Sequence, residues 1–204
     1  MHSVSAFFPV LFLLVGLQAP QPALQDPLRK HYAAAESERI AGHLAAAETE
    51  YKAALAAGYA KLGNISVTEG DYNSAIDLLG SALVYQPDSQ EVLIDLAIAY
   101  FNTNKFERAL ELEQKALALN AENVRGRHLL GKTYFMLGQY DRAQTELEAA
   151  LALAADDFDI EYTLGLVYLK ERKFDSAKRI YDRAIEQLGD GPALRILIGR
   201  AYRE

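Results

Sequence analysis

The sequence predicts an all-α solenoid of stacked helix pairs, about five pairs followed by one extra helix. Three observations predict it. Four short blocks recur: Gly70-Asp71-Tyr72 leading to Ala75 and Ala82, and Asn104-Lys105-Phe106 leading to Ala109 and Ala116. Gly138-Gln139-Tyr140 then leads to Ala143 and Ala150, and Arg172-Lys173-Phe174 to Ala177 and Ala184, each block starting 34 residues after the last. Self-similarity at such a period marks units that bury their apolar faces only against neighbours. Each interval also holds two apolar stripes of helical period, and no segment alternates convincingly with period two.

The chain opens on 25 residues without Asp, Glu, Lys or Arg. Ala6 to Leu17 is an apolar run broken only by Pro9, followed by the Gln- and Pro-rich stretch Gln18 to Gln25. That length suits the apolar core of a signal peptide over residues 1–24 and falls short of the roughly 20 apolar residues of a membrane-spanning helix. The positive region is weak, with only the amino terminus and His2, and Ala19 and Ala23 are the candidate cleavage points. An uncleaved anchor or a misplaced start are the alternatives. The expectation is export, periplasmic or secreted, with membrane anchoring if the segment stays.

Residues 25–204 form the array, with repeats near 27–57, 58–88, 89–122, 123–156 and 157–190 and a partial unit over 191–204. In the first unit Gly42, Leu44, Ala47, Tyr51 and Ala54 mimic a second helix, but only 28 residues separate them from the next block. The missing residues are expected to come from a connection around Gly58. In the third unit Leu93, Leu96, Ala97 and Tyr100 share one helix face. Asn102 to Lys105 contains no apolar residue and reads as a turn. Phe106, Ala109, Leu110, Leu112, Ala116, Leu117 and Leu119 outline the second helix. The fourth unit repeats this with Leu130, Gly131 and Tyr134, then Tyr140, Ala143, Leu147, Ala150 and Leu151. The fifth has Leu164, Gly165 and Tyr168, then Phe174, Ala177, Tyr181, Ala184 and Ile185. Ile198-Gly199 and Tyr202 begin a sixth unit, whose helix is apolar nearly all round through Leu194, Ile196, Leu197, Ile198, Ala201 and Tyr202. It is expected either to dock on something or to continue into further chain.

Gly63, Ala97, Gly131 and Gly165 lie mid-way in the first helices, each twelve residues before the first alanine of the second. Glycine inside a helix costs about 1 kcal/mol relative to alanine, so its recurrence needs a packing reason. Close approach of the second helix through its paired alanines is the expected one.

Leu130-Gly131 with Tyr134, Leu164-Gly165 with Tyr168, Ala177 with Tyr181, and Pro87 closing the second unit together resemble the tetratricopeptide repeat family. The resemblance covers roughly residues 27–204 and implies a right-handed superhelical solenoid whose first helices line a concave groove. Departures are Glu113 in place of an aromatic residue, the absence of tryptophan, and Ala121 and Ala155 where proline is usual.

Net charge of −7 argues against nucleic acid, whose binding needs basic patches on phosphates. There are no cysteines, so disulfides and zinc-thiolate sites are excluded. Asp156, Asp157, Asp159 and Glu161 read as favourable charge at a helix N-terminus; they lack the spacing and glycine of a calcium loop. No phosphate-binding loop, nucleophile elbow or paired metal-histidine spacing occurs, and His2, His31, His43 and His128 fall in separate segments. No catalytic residue, metal site or cofactor is expected, and Asn64-Ile65-Ser66 is a sequon inside a helix.

In the family the groove-facing positions follow from phase. They are Asn64 in unit two, Ile94, Ile98, Phe101 and Asn102 in unit three, Arg125, His128, Lys132 and Phe135 in unit four, and Tyr162, Leu166 and Leu169 in unit five. Some members clamp a C-terminal carboxylate there; Asp95 and Ile98 interrupt that pattern here. What remains is the basic strip Arg125, His128 and Lys132 between apolar rows, either an ordinary solvated face or an interaction site. The expected function is a non-catalytic scaffold holding a protein or peptide with apolar anchors and an acidic group. The alternatives are a recruitment arm of a longer enzyme or sensor, and an oligomerisation module self-associating through the last helix.

Overall fold

The computed structural model describes residues 26–189 and 191–203, so the segment expected to be a signal peptide lies outside the described residues. Among the described residues there are ten α-helices and no strand. They are α1 (Pro27–Ile40), α2 (Leu44–Glu69), α3 (Tyr72–Tyr85), α4 (Gln90–Asn102), α5 (Phe106–Leu119), α6 (Val124–Met136), α7 (Tyr140–Leu153), α8 (Phe158–Lys170), α9 (Phe174–Leu188) and α10 (Pro192–Ala201).

Several helix starts and stops have a local cause. Asp26, Asp71, Asn123 and Asp157 cap α1, α3, α6 and α8 by accepting from backbone N–H groups of the first turn. The block-opening residues Gly70, Asn104, Gly138 and Arg172 all sit in the left-handed region, with φ of 79°, 58°, 73° and 60°. The following amide reaches back to the last turn in every case. Asp71, Lys105, Gln139 and Lys173 N–H donate to the carbonyls of Ser66, Tyr100, Tyr134 and Tyr168 at 2.8–2.9 Å. This satisfies a carbonyl that the helix end would leave bare and folds the chain straight into the second helix.

The glycines have a more specific partner than the paired alanines. A Cβ on Gly63 would stand 2.5 Å from Leu79 Cγ, one on Gly131 2.5 Å from Leu147 Cγ, and one on Gly165 would overlap the Tyr181 ring. Each glycine is a socket for the large side chain four residues after the first alanine. The alanine itself contributes only backbone: the Ala143 carbonyl lies 3.4 Å from the Gly131 position. Unit three departs from this, with Ala97 at the socket phase and Glu113 at the plug phase.

The connection expected near Gly58 is absent. α2 runs unbroken over 26 residues and merges the second helix of unit one with the first of unit two. The alanines flanking Gly58 are strong helix formers, and one half-buried glycine, set against Leu28 of α1, costs too little to end a helix that packs on both α1 and α3. The rest is regular: α4 pairs with α5, α6 with α7 and α8 with α9, while α2–α4, α4–α6, α6–α8 and α8–α10 also touch. The first helices therefore make one continuous inner wall.

Candidate protein-binding surface

The inner wall carries two chemically different regions. Toward the N-terminal side, Asp95 on α4 is 7% exposed and ties three helices together. Its Oδ1 accepts from Arg125 on α6 at 2.6 Å, and its Oδ2 from Asn64 Nδ2 on α2 at 3.1 Å. Beside it lies a hollow of 840 Å³ whose floor is Ala53, Ala56, Ala57 and Ala60 of α2, with Glu91 of α4 on its wall.

Further along, Phe101 from α4, His128, Lys132, Phe135 and Met136 from α6, and Asp159, Tyr162, Thr163 and Leu166 from α8 line a cavity of 360 Å³. Phe101 is held edge-on to Phe106, with ring centroids 5.4 Å apart. Lys132 places its ammonium 5.4 Å from the centre of the Phe101 ring. Phe135 packs on Tyr140 at 5.7 Å. Both aromatic rings are thus fixed by the first residue-turn of the second helix behind them. Thr163 donates its hydroxyl proton to the Asp159 carbonyl at 2.8 Å, and His128 Nε2 lies 3.3 Å from its oxygen. Burial, and then Lys132, push the His128 pKa below the usual imidazole range, against the opposing pull of Asp157 and Asp159. His128 is therefore a neutral wall residue at pH 7, leaving Lys132 as the cation at this cavity.

Six of the twelve residues expected at the groove meet around this cavity: Phe101, His128, Lys132, Phe135, Tyr162 and Leu166. Asn64 and Arg125 meet instead through Asp95. Ile98 and Leu169 are half-buried against the core clusters, and Asn102 is exposed with its amide bonded to the Ile98 carbonyl of its own helix. Ile94 is not a groove residue. It is 1% exposed and packs in the core with Leu93, Ala97 and Leu129, because α4 is enclosed by α2, α3, α5 and α6. The strip of three basic residues is likewise not three free charges, since Arg125 is already paired. Asp95, read from the sequence only as an interruption of the carboxylate clamp, is the residue that joins Asn64 and Arg125. Its signal was available: Asn64 and Arg125 lie close to one repeat away on either side, which is where adjacent first helices bring residues together.

The acidic run before α8 divides in the same way. Asp157 caps the helix, and Asp156 accepts from Gln187 at 2.9 Å. Glu161 is no solvated face: it is fully buried, and its Oε1 accepts from Arg183 of α9. Among the described residues, no group of three or more His, Asp or Glu side chains is placed to hold a metal ion.

Three family models match the chain. One described as subunit 3 of the anaphase-promoting complex, cyclosome, covers residues 68–150, one described as TPR repeat covers 131–171, and one described as tetratricopeptide repeat covers 162–204. No curated protein matches. Among solved structures, a thermophilic TPR protein of Thermus thermophilus is similar with a TM-score of 0.63 and 23% identity, over 87% of this chain and 100% of that one. YrrB, a TPR protein with an unusual peptide-binding site, gives 0.65 and 22% over 88% and 93%. The first TPR of Spaghetti, bound to the HSP90 peptide SRMEEVD, gives 0.55 and 25% over 56% and 91%. The first two similarities carry the fold alone.

Proposed function

The chain belongs to the tetratricopeptide repeat family, and we propose that it is a non-catalytic scaffold gripping an extended protein segment along its inner wall. One observation carries this reading: three successive first helices contribute Phe101, Phe135 and Leu166 to a single cavity edged by Lys132. An apolar recess rimmed by charge is the form of an interaction site. The recess would take one apolar anchor, and Lys132 an acidic group beside it. Arg125 has the different task of holding the wall together through Asp95.

Similar proteins bind peptides: YrrB has a peptide-binding site, and the Spaghetti domain holds an HSP90 peptide with consecutive acidic residues. Both facts support the class of partner, and the second supports its charge. The assay is affinity capture of the partner from the native host followed by calorimetry with the isolated segment. Phe101→Ala should weaken binding by about 10-fold or more, because aromatic anchors dominate interface energies. Lys132→Ala should cost less than about 5-fold, as for a rim charge. Unchanged affinity in both variants would remove the cavity from the binding site.

The charge-free apolar N-terminal segment supports export of the protein, with the mature chain beginning between residues 20 and 26. N-terminal sequencing from the native host decides it, and an intact Met1 in a cytoplasmic fraction would refute it.

A further inference from the structure

We propose that the alanine-floored hollow of the inner wall is a second subsite, taking an arginine side chain of the same protein segment whose apolar and acidic groups reach the cavity; the proposal rests on that reading of the inner wall. The hollow owes its depth to α2. Ala53, Ala56, Ala57 and Ala60 fall on one face of that helix, and none carries an atom beyond Cβ. From α4, Glu91 and Asp95 line the same hollow, one helical turn apart. Their situations differ. Asp95 gives one acceptor position of each oxygen to Arg125 and Asn64, and a carboxylate has about four such positions. Glu91 is exposed and makes no hydrogen bond or ion pair among the described residues. The lysine at the hollow is already neutralised, since Lys61 Nζ donates to Asp26 Oδ2 at 2.6 Å.

Charge complementarity names the occupant. Residues 26–95 carry eleven acidic and five basic side chains, a net −6, whereas residues 96–204 carry seventeen and sixteen, a net −1. Nearly all of the chain's negative charge thus lies on the side of the hollow, while the cavity further along has Lys132 as its cation. An apolar floor beneath an uncompensated carboxylate suits a side chain with a long apolar stem and a cationic head. Arginine fits better than lysine, because its planar fork can meet Glu91 and the open positions of Asp95 together. Successive first helices lie about 10 Å apart, which puts the hollow between α2 and α4 about 15–20 Å from the cavity around α6. About five or six residues of extended chain span that distance. The bound segment therefore carries an arginine at that interval from its apolar and acidic pair.

The probes are fluorescein-labelled peptides with one Leu-Glu pair in an alanine–serine background, titrated by anisotropy with the full 204-residue protein. One arginine is moved from about two to about eight residues away on either side of the pair. Affinity should rise about 5-fold over the arginine-free peptide near the predicted interval on one side, and the gain should shrink with salt. Glu91→Gln should remove the gain by taking away the charge. Ala57→Leu should remove it by filling the floor, with a residue that keeps the helix. No gain at any interval, an equal gain at every interval, or a gain that survives in both variants would overturn the proposal, as would no saturable binding up to about 1 mM. Phe101→Ala separates the two readings. If it abolishes binding of the arginine-free peptide while arginine adds nothing, the cavity stands and the hollow falls. If it changes no affinity while Glu91→Gln removes the arginine gain, the hollow stands and the cavity falls.

Discussion

Replacing Glu113 is the perturbation whose outcome the structure fixes most closely. Glu113 is fully buried on α5, at the phase where Leu79, Leu147 and Tyr181 plug their glycine sockets. Thr133 of α6, itself fully buried, donates its hydroxyl to Oε1 at 2.7 Å, while Oε2 has no partner. Burial pushes the pKa up to about 7, and the Thr133 bond offsets only part of that rise. An ordinary glutamate ionises near 4.5, so the shift is worth about 3 kcal/mol of differential stability. Folding raises this pKa, and between about pH 4.5 and 7 the native protein therefore holds more protons than the unfolded chain. The contribution is fully present below pH 4.5 and is lost as pH rises through 7.

Glu113→Gln keeps the shape and removes the titration. Urea denaturation of both proteins from pH 4.5 to 8.5 isolates the group, because the other carboxylates cancel in the difference. Wild-type stability should fall relative to the variant by about 3 kcal/mol across that window and then level off. Glu113→Met, unbranched like glutamate, should be more stable than wild type at pH 8. A flat difference curve, or a Met variant less stable at pH 8, would mean that Glu113 is not held as a buried acid.

Four further outcomes follow from the packing and the backbone. Gly131→Ala should destabilise by about 1–3 kcal/mol in urea melts, since its Cβ would stand 2.5 Å from Leu147 Cγ. Gly80→Ala, in α3 with nothing within 4 Å, should stabilise by about 1 kcal/mol. Arg172→Gly should raise the melting temperature slightly, because a non-glycine residue at φ 60° carries about 1 kcal/mol of backbone cost. Asp95→Leu should change the stability of the array by no more than about 1 kcal/mol, because Asn64 and Arg125, which it strips of their acceptor, are both exposed and can turn to water.

Helix type and phase were legible because each of the four block-opening turns repeats one device, a left-handed residue at the block start and an amide reaching back past it. That device depends on local residue types, so Gly70, Asn104 and Gly138 announced it directly. The merged α2 was not legible in the same way. A 28-residue interval shows that six residues are missing but not where, and Gly58 invites a break that helix propagation and packing on two sides override. The site was legible in part for a related reason. Phase locates a residue around its own helix, and the structure brings His128, Lys132 and Phe135 of α6 and Tyr162 and Leu166 of α8 to one cavity. It failed for Ile94 because α4 is enclosed almost all round, so a position pointing at the groove by phase is covered by the neighbouring helix. The plug-and-socket pairing was visible in the sixteen-residue spacing of Gly63 and Leu79, Gly131 and Leu147, and Gly165 and Tyr181.

The positions where unit three breaks the repeat's own rules share a neighbour. Ala97 takes the socket, Glu113 takes the plug, and Asp95 puts a carboxylate on the wall; Glu113 and Asp95 both end on α6, one through Thr133 and the other through Arg125. Thr133 is itself irregular, with Ala99 and Val167 at its phase in the adjacent units. Apolar contact alone is indifferent to small slides between stacked units, whereas a hydrogen bond fails within a fraction of an ångström. Two such bonds, eight residues apart along α6, fix its position against α4 and α5, and α6 is the helix that carries Lys132 and Phe135 into the cavity. The polar departures are therefore placed where they set the cavity's shape. On this argument Thr133→Val, which swaps the hydroxyl for a methyl of similar size, should loosen α6. Hydrogen exchange of its amides should quicken more than that of α8, and partner affinity should fall although Thr133 lines no part of the cavity. Exchange unchanged in α6 would leave the pair as an isolated oddity of the core.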